Sequence, residues 1–169
     1  MTNHVHLIAV PTYESSLTFV VRDASGLCAV YFNSKYGFSG HLWQARFYSC
    51  LPDEEHFWSA IRYVERNPVR AKMVSEAEDY PWSSAAAHCL SQPDPLLAPL
   101  QPPAPISDWR SWLHDEEEAT LPHLIRRHTG TGRPLWSKSF LQDLEARLGR
   151  PLIPRKAGRK PRIRAAIGQ

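Results

Sequence analysis

Six prolines fall between residues 91 and 106, at Pro93, Pro95, Pro99, Pro102, Pro103 and Pro105. Proline fixes φ and lacks the backbone N–H, so neither a helix nor an interior strand can run through this stretch. It reads as an extended linker. The chain must therefore build its order on either side: residues 1–90 as the main domain, and 107–149 as a small helical segment followed by a tail, 150–169. A length of 169 residues suffices for one domain with an appendage.

Before the linker, residues 3–10 (NHVHLIAV) alternate like a strand, with His4, His6 and Ile8 on one face and Val5, Leu7 and Ala9 on the other. Pro11 ends it. From Ser15 or Ser16, either a good N-cap, apolar residues recur at helical spacing at Leu17, Val20, Val21, Ala24, Leu27 and Tyr31. Gly37 and Gly40 mark a turn, and residues 42–51 (LWQARFYSCL) read as a second strand. Residues 53–66 predict a second helix, capped by Asp53, with a core stripe of Phe57, Ala60, Ile61 and Val64. After the linker, one short helical segment is expected within 107–128. A stronger one spans 137–148, with Phe140, Leu141, Leu144 and Leu148 on one face, stopped by Gly149.

Charge divides the chain more sharply than its net +3 suggests. Residues 150–169 hold seven basic side chains and no acid, which leaves 13 basic and 17 acidic residues elsewhere. Such a tail cannot bury a core, and nucleic-acid phosphate is its expected partner through counterion release. Arg155, Lys156, Arg159, Lys160, Arg162 and Arg164 are the candidate DNA-binding residues. The three cysteines, Cys28, Cys50 and Cys89, are scattered and form no CxxC pair, which fits a reducing compartment. With no run of 18 apolar residues and no signal-peptide pattern, the chain is expected to be cytoplasmic and to have no membrane partner.

Two constellations can carry chemistry. His4 and His6 are i and i+2 in an extended segment, so their imidazoles share a face and can converge on one divalent cation. The same spacing also suits two ordinary surface histidines. Tyr63 and Asn67 are four apart, so a phenol and an amide can point into one site. They lie off the apolar stripe, on the side of His56 and Ser59, where exposure is expected. Tyr63 is equally readable as a packing residue, and Asn67, followed by Pro68, as the cap of a new helix.

Taken in order, the blocks NHVHLI, YFNSKYGFSGHLWQARF, YVERNPVRAKMV and EDYPWSS are more specific than any one alone. Together they resemble the REP-associated tyrosine transposases, relatives of the single-strand insertion-sequence transposases among the HUH nucleases. The stretch TGRPLWSKSFLQDLEARLGRPLIPRKAGRKP is similar to the tail of many such proteins, whereas 91–128 matches least. The resemblance implies an α+β fold, part of a ferredoxin-like HUH domain, with a helical and basic C-terminal extension. It implies Tyr63 as nucleophile, and His4, His6 and Asn67 as ligands of Mg2+ or Mn2+. It implies cleavage and rejoining of single-stranded DNA at hairpin-forming repeats through a 5′-phosphotyrosine, by a nucleoid-associated protein.

The sequence departs from that pattern at its start. The family carries a strand-helix-strand segment of about fifty residues ahead of the NHVHL strand, and a sheet without those strands loses hydrogen-bond partners. The block CAVYFN (28–33) is also less aromatic and less basic than the resemblance implies. The expectation is either a true start that lies upstream or a truncated, decayed copy, and for the 169-residue chain aggregation or a homodimer. Two alternatives remain: a catalytically inactive fragment that only binds nucleic acid, and a phosphoesterase in which His4, His6 and His56 activate water.

Overall fold

A computed structural model describes residues 3–99, 105–115, 120–131 and 137–152. The chain divides into two units, Met1–Trp136 and Ser137–Gln169.

The first unit is organised around α2 (Glu54–Glu65). Its start is dictated locally: the Asp53 side chain accepts a hydrogen bond from the His56 backbone N–H at 2.9 Å, satisfying one of the donors that every helix N-terminus leaves unpaired. A four-residue helix, α3 (Asn67–Arg70), follows after a single turn residue, Arg66. Pro68 sits in its first turn, where a missing N–H costs nothing. Lys72, with φ 57°, ends it in the left-handed region.

Ile61, Tyr63, Glu65 and Asn67 are all buried. Residues two apart on a helix point to nearly opposite sides, so α2 is covered on two faces. Tyr63 packs with Ile125 of α6 (Leu121–Thr131), flanked by Val64. Glu65, on the other side, meets α4 (Ala85–Cys89) and α5 (Trp109–His114). There Ala77, Ala85 and Leu113 form a second small core, flanked by Val69, Cys89, Trp109 and Trp112. A 3-10 turn at Ala77–Asp79 supplies Ala77 to this cluster.

α1 (Ser16–Tyr36) stands differently: it buries no residue. Gly37, at φ 68°, closes it in a conformation that suits glycine. The chain then folds back along the helix. Asn33 Nδ2 donates to the Gly40 carbonyl at 3.1 Å, Trp43 Nε1 donates to the Ser25 carbonyl at 2.9 Å, and Phe38 stacks on Phe32. Phe19, Val20, Leu27, Val30 and Tyr31 stay exposed.

The second unit contains α7 (Lys138–Leu148). Ser137 caps it by accepting from the Phe140 N–H, and Gly149 ends it at φ 62°. Leu152 N–H returns to Glu145 Oε1 at 2.5 Å.

The expected α+β, partly ferredoxin-like fold is overturned. Among the described residues the regular structure is helical, with no strand and no sheet. Residues 3–10 carry no regular structure, and 42–51 follow a series of bends and coil. The reason is lateral. Alternation tells which side chains share a face, but a strand takes its hydrogen bonds from neighbours. Among the described residues neither segment forms a ladder with the other or with a third, so the period-2 pattern has no sheet to join. The single helical segment expected within 107–128 is instead two helices, α5 and α6.

Candidate functional site

The segment 3–10 brings its histidines to α2. The His4 and His6 rings meet edge to face with centroids 5.0 Å apart. The His6 ring in turn meets the Tyr63 ring edge to face at 5.6 Å. Three of the four residues singled out by sequence therefore converge. His4 remains exposed, with Nδ1 2.7 Å from Asn3 Oδ1. His6 is half-buried, and burial first, then the charges of His4, Arg70 and Arg126, holds its pKa below the ordinary imidazole value of 6.5.

Tyr63 is not on an exposed helix face as expected: it is 2% exposed. Two arginines close over it. The Arg70 guanidinium lies 4.3 Å from the ring centre, and its Nη2 donates to the Tyr63 carbonyl at 2.6 Å. From α6, Arg126 Nε donates to the phenol oxygen at 3.3 Å. The phenol thus sits between an imidazole and two permanent cations.

Asn67 follows Tyr63 by four residues, across the Arg66 junction. It does not cap α3: it is the first helical residue, and the N-cap position belongs to Arg66. The side chain is 5% exposed, and its Nδ2 has no hydrogen-bond partner. A buried amide without a partner costs on the order of 1–3 kcal/mol, so this position is held against a local penalty.

These residues fit a divalent ion in part. A depressed pKa keeps His6 neutral, the form that coordinates metal. Two imidazoles 5.0 Å apart can share one ion, and Asn67 could add its amide Oδ1 as a ligand, while its unpaired Nδ2 is a donor suited to a phosphate oxygen. Among the described residues no group of three or more His, Cys, Asp and Glu is arranged to hold a metal. A site here must take its remaining ligands from Asn67, from water or from a phosphate. The trio His4, His6 and His56 is not assembled either. His56 Nδ1 lies 2.5 Å from Asp53 Oδ1, engaged at the α2 cap.

Arg70 and Arg126 were not singled out by sequence. Arg70 is legible in retrospect, since i+7 from Tyr63 returns to the same face after two turns. Arg126 is 63 residues away from Tyr63 and carries no sequence signal for this placement. The candidate DNA-binding residues Arg155, Lys156, Arg159, Lys160, Arg162 and Arg164 lie outside the described residues. No helix among those described is long and apolar enough to cross a membrane.

Comparison with protein-family models, with curated proteins and with solved structures gives no match.

Proposed function

We propose that this chain cuts and rejoins single-stranded DNA beside hairpin-forming repeats, with Tyr63 as the nucleophile. The observation that carries the reading is the convergence on one phenol of His6, 5.6 Å away ring to ring, and Arg126, bonded to its oxygen. A phosphodiester repels nucleophiles by its charge, and guanidinium groups beside the attacking atom offset that repulsion. A phenol, with an unperturbed pKa near ~10, ionises far more readily than an alcohol.

In the proposed step Tyr63 Oη loses its proton and bonds to phosphorus. The bond from phosphorus to the 3′ oxygen breaks, and that oxygen takes up a proton. The products are a 5′-phosphotyrosine and a free 3′-hydroxyl, and the reverse step rejoins a strand without ATP. Arg126 exchanges the phenol oxygen for a phosphate oxygen as the strand arrives, which uncovers Tyr63. His4, His6 and the Asn67 amide would hold Mg2+ or Mn2+, which supplies further charge neutralisation on the nonbridging oxygens when bound. The basic tail, residues 150–169, holds DNA through its phosphates, as a cytoplasmic, nucleoid-associated protein requires.

One observation favours a second reading, a chain that binds nucleic acid without cutting it: Tyr63 is 2% exposed. The test is incubation with a hairpin-flanked single strand and Mn2+, followed by denaturing electrophoresis. The nucleophile reading expects a covalent protein–DNA adduct that Tyr63→Phe abolishes while DNA binding persists. It also expects His4→Ala with His6→Ala to weaken Mn2+ binding in calorimetry. Binding with no adduct in the unaltered chain supports the second reading, and an adduct on Tyr31, Tyr36 or Tyr80 displaces Tyr63.

A further inference from the structure

Across α2 from the phenol, a cavity of about 430 Å³ opens beside α4 and α5, lined by His88, Gln92, Asp94, Leu97 and Trp109 among others. Its back wall is fixed by one buried carboxylate. Glu65, 1% exposed, accepts from Ser84 Oγ at 2.5 Å, from His88 Nδ1 at 2.7 Å and from Trp109 Nε1 at 2.8 Å. Both aromatic rings are thereby locked, with centroids 4.3 Å apart.

That locking decides what the wall can recognise. The carboxylate takes the Nδ1–H of His88 and the Nε1–H of Trp109, so both rings turn a polar edge toward Glu65. Asp94 adds a carboxylate: Oδ1 accepts from the Leu96 N–H at 2.9 Å, and Oδ2 is the remaining acceptor. Among the described residues no lysine or arginine lines the cavity, so its chemistry does not favour phosphate. An occupant must offer a flat face to the indole and N–H donors to the Asp94 carboxylate. The volume lies within the range of ordinary ligand pockets.

We propose that this cavity takes one unstacked nucleobase that carries an exocyclic amino group: adenine, cytosine or guanine in preference to thymine. The base stacks against the His88–Trp109 platform, and its amino group donates to Asp94. The identification of the base's source rests on the strand-cutting reading above. Tyr63 and Glu65 are two residues apart, so the two sites lie roughly 200° apart around a helix about 10–12 Å thick. A strand that reaches both sites crosses α2, and the captured base lies a few nucleotides from the linkage attacked.

The test uses the full chain and labelled hexanucleotides dA6, dC6 and dT6, read by fluorescence anisotropy. Phosphate contacts are common to all three, so differences among them report on the bases. The expected result is binding of dA6 and dC6 about tenfold tighter than dT6. Two variants should erase that preference: Asp94→Asn, which retains an acceptor for the Leu96 N–H, and Leu97→Trp, which fills the cavity. Equal affinity for the three strands, or a preference that survives both variants, overturns the proposal. The Tyr63 adduct assay separates the two readings. Base preference without an adduct sinks the strand-cutting reading and leaves the pocket standing. An adduct without base preference does the reverse.

Discussion

Arg70 holds Tyr63 twice, with its guanidinium 4.3 Å from the ring centre and its Nη2 2.6 Å from the Tyr63 carbonyl oxygen. One side chain thereby satisfies a carbonyl in the last turn of α2 and covers the phenol ring of the same residue. Arginine suits both tasks because its planar fork can stack and donate together.

Arg70→Ala should lower the free energy of unfolding by about 2 kcal/mol, from a partly buried cation–π contact and a charge-assisted hydrogen bond. Arg70→Lys should recover less than half of that, since an ammonium cannot do both at once. Urea denaturation of the three proteins, compared at constant m-value, checks this. Equal stability of the Lys variant and the parent would show that charge alone matters.

Glu65→Ala strips the acceptor from three donors at once and should cost about 3–5 kcal/mol. Glu65→Gln, which keeps an acceptor oxygen but adds two N–H groups, should fall between Ala and the parent. Glu65→Ala combined with Trp109→Phe should cost less than the two effects added, because both remove the same bond. Strict additivity in that cycle would mean that Trp109 is held by packing and not by the carboxylate.

The pH dependence of stability near His6 has a definite sign. Its folded pKa is depressed below 6.5, chiefly by burial. Between the depressed value and 6.5 the unfolded chain therefore binds a proton that the folded chain resists. The contribution of neutral His6 is complete above pH 6.5 and is lost as pH falls toward the folded pKa. Unfolding measured at pH 7.5, 6.5 and 5.5 should show this loss, and His6→Asn should flatten it. A variant that loses stability with acid as steeply as the parent would place the titrating group elsewhere.

The tail is tested by salt. Each phosphate neutralised adds about 0.7 to 0.9 to the slope of log K against log salt. Deleting residues 150–169 should flatten that slope and weaken binding to all sequences by a similar factor. An unchanged slope after the deletion would make the seven basic residues bystanders.

What could be read from the sequence was what neighbours along the chain decide. Asp53 and Ser137 are caps whose partners lie three residues away, so α2 and α7 begin within a residue of their expected positions. Gly149 likewise stops α7 where its φ of 62° requires. What could not be read depends on distant partners. Val5, Leu7 and Ala9 alternate against His4, His6 and Ile8, yet among the described residues no second strand meets them, and the pattern alone cannot supply one. Tyr63 reads as lying on the exposed side of α2, and Glu65 gives no sign of its burial, because the groups that bury them arrive later. Arg126 is 63 residues on and Trp109 44 residues on. His4 and His6, two residues apart, meet ring to ring at 5.0 Å, whereas their meeting with Tyr63 was not derivable from spacing.

The carboxylate of Glu65 grips both His88 and Trp109, the residues that bracket the proline-rich stretch. Whatever lies between them is a tether whose ends are already clamped. The entropy of closing such a tether rises only with the logarithm of its length, about 0.6 kcal/mol per doubling. Lengthening the connection between α4 and α5 by a few residues should therefore leave the two helices docked, because what secures them is an anchor at each end and not the span between.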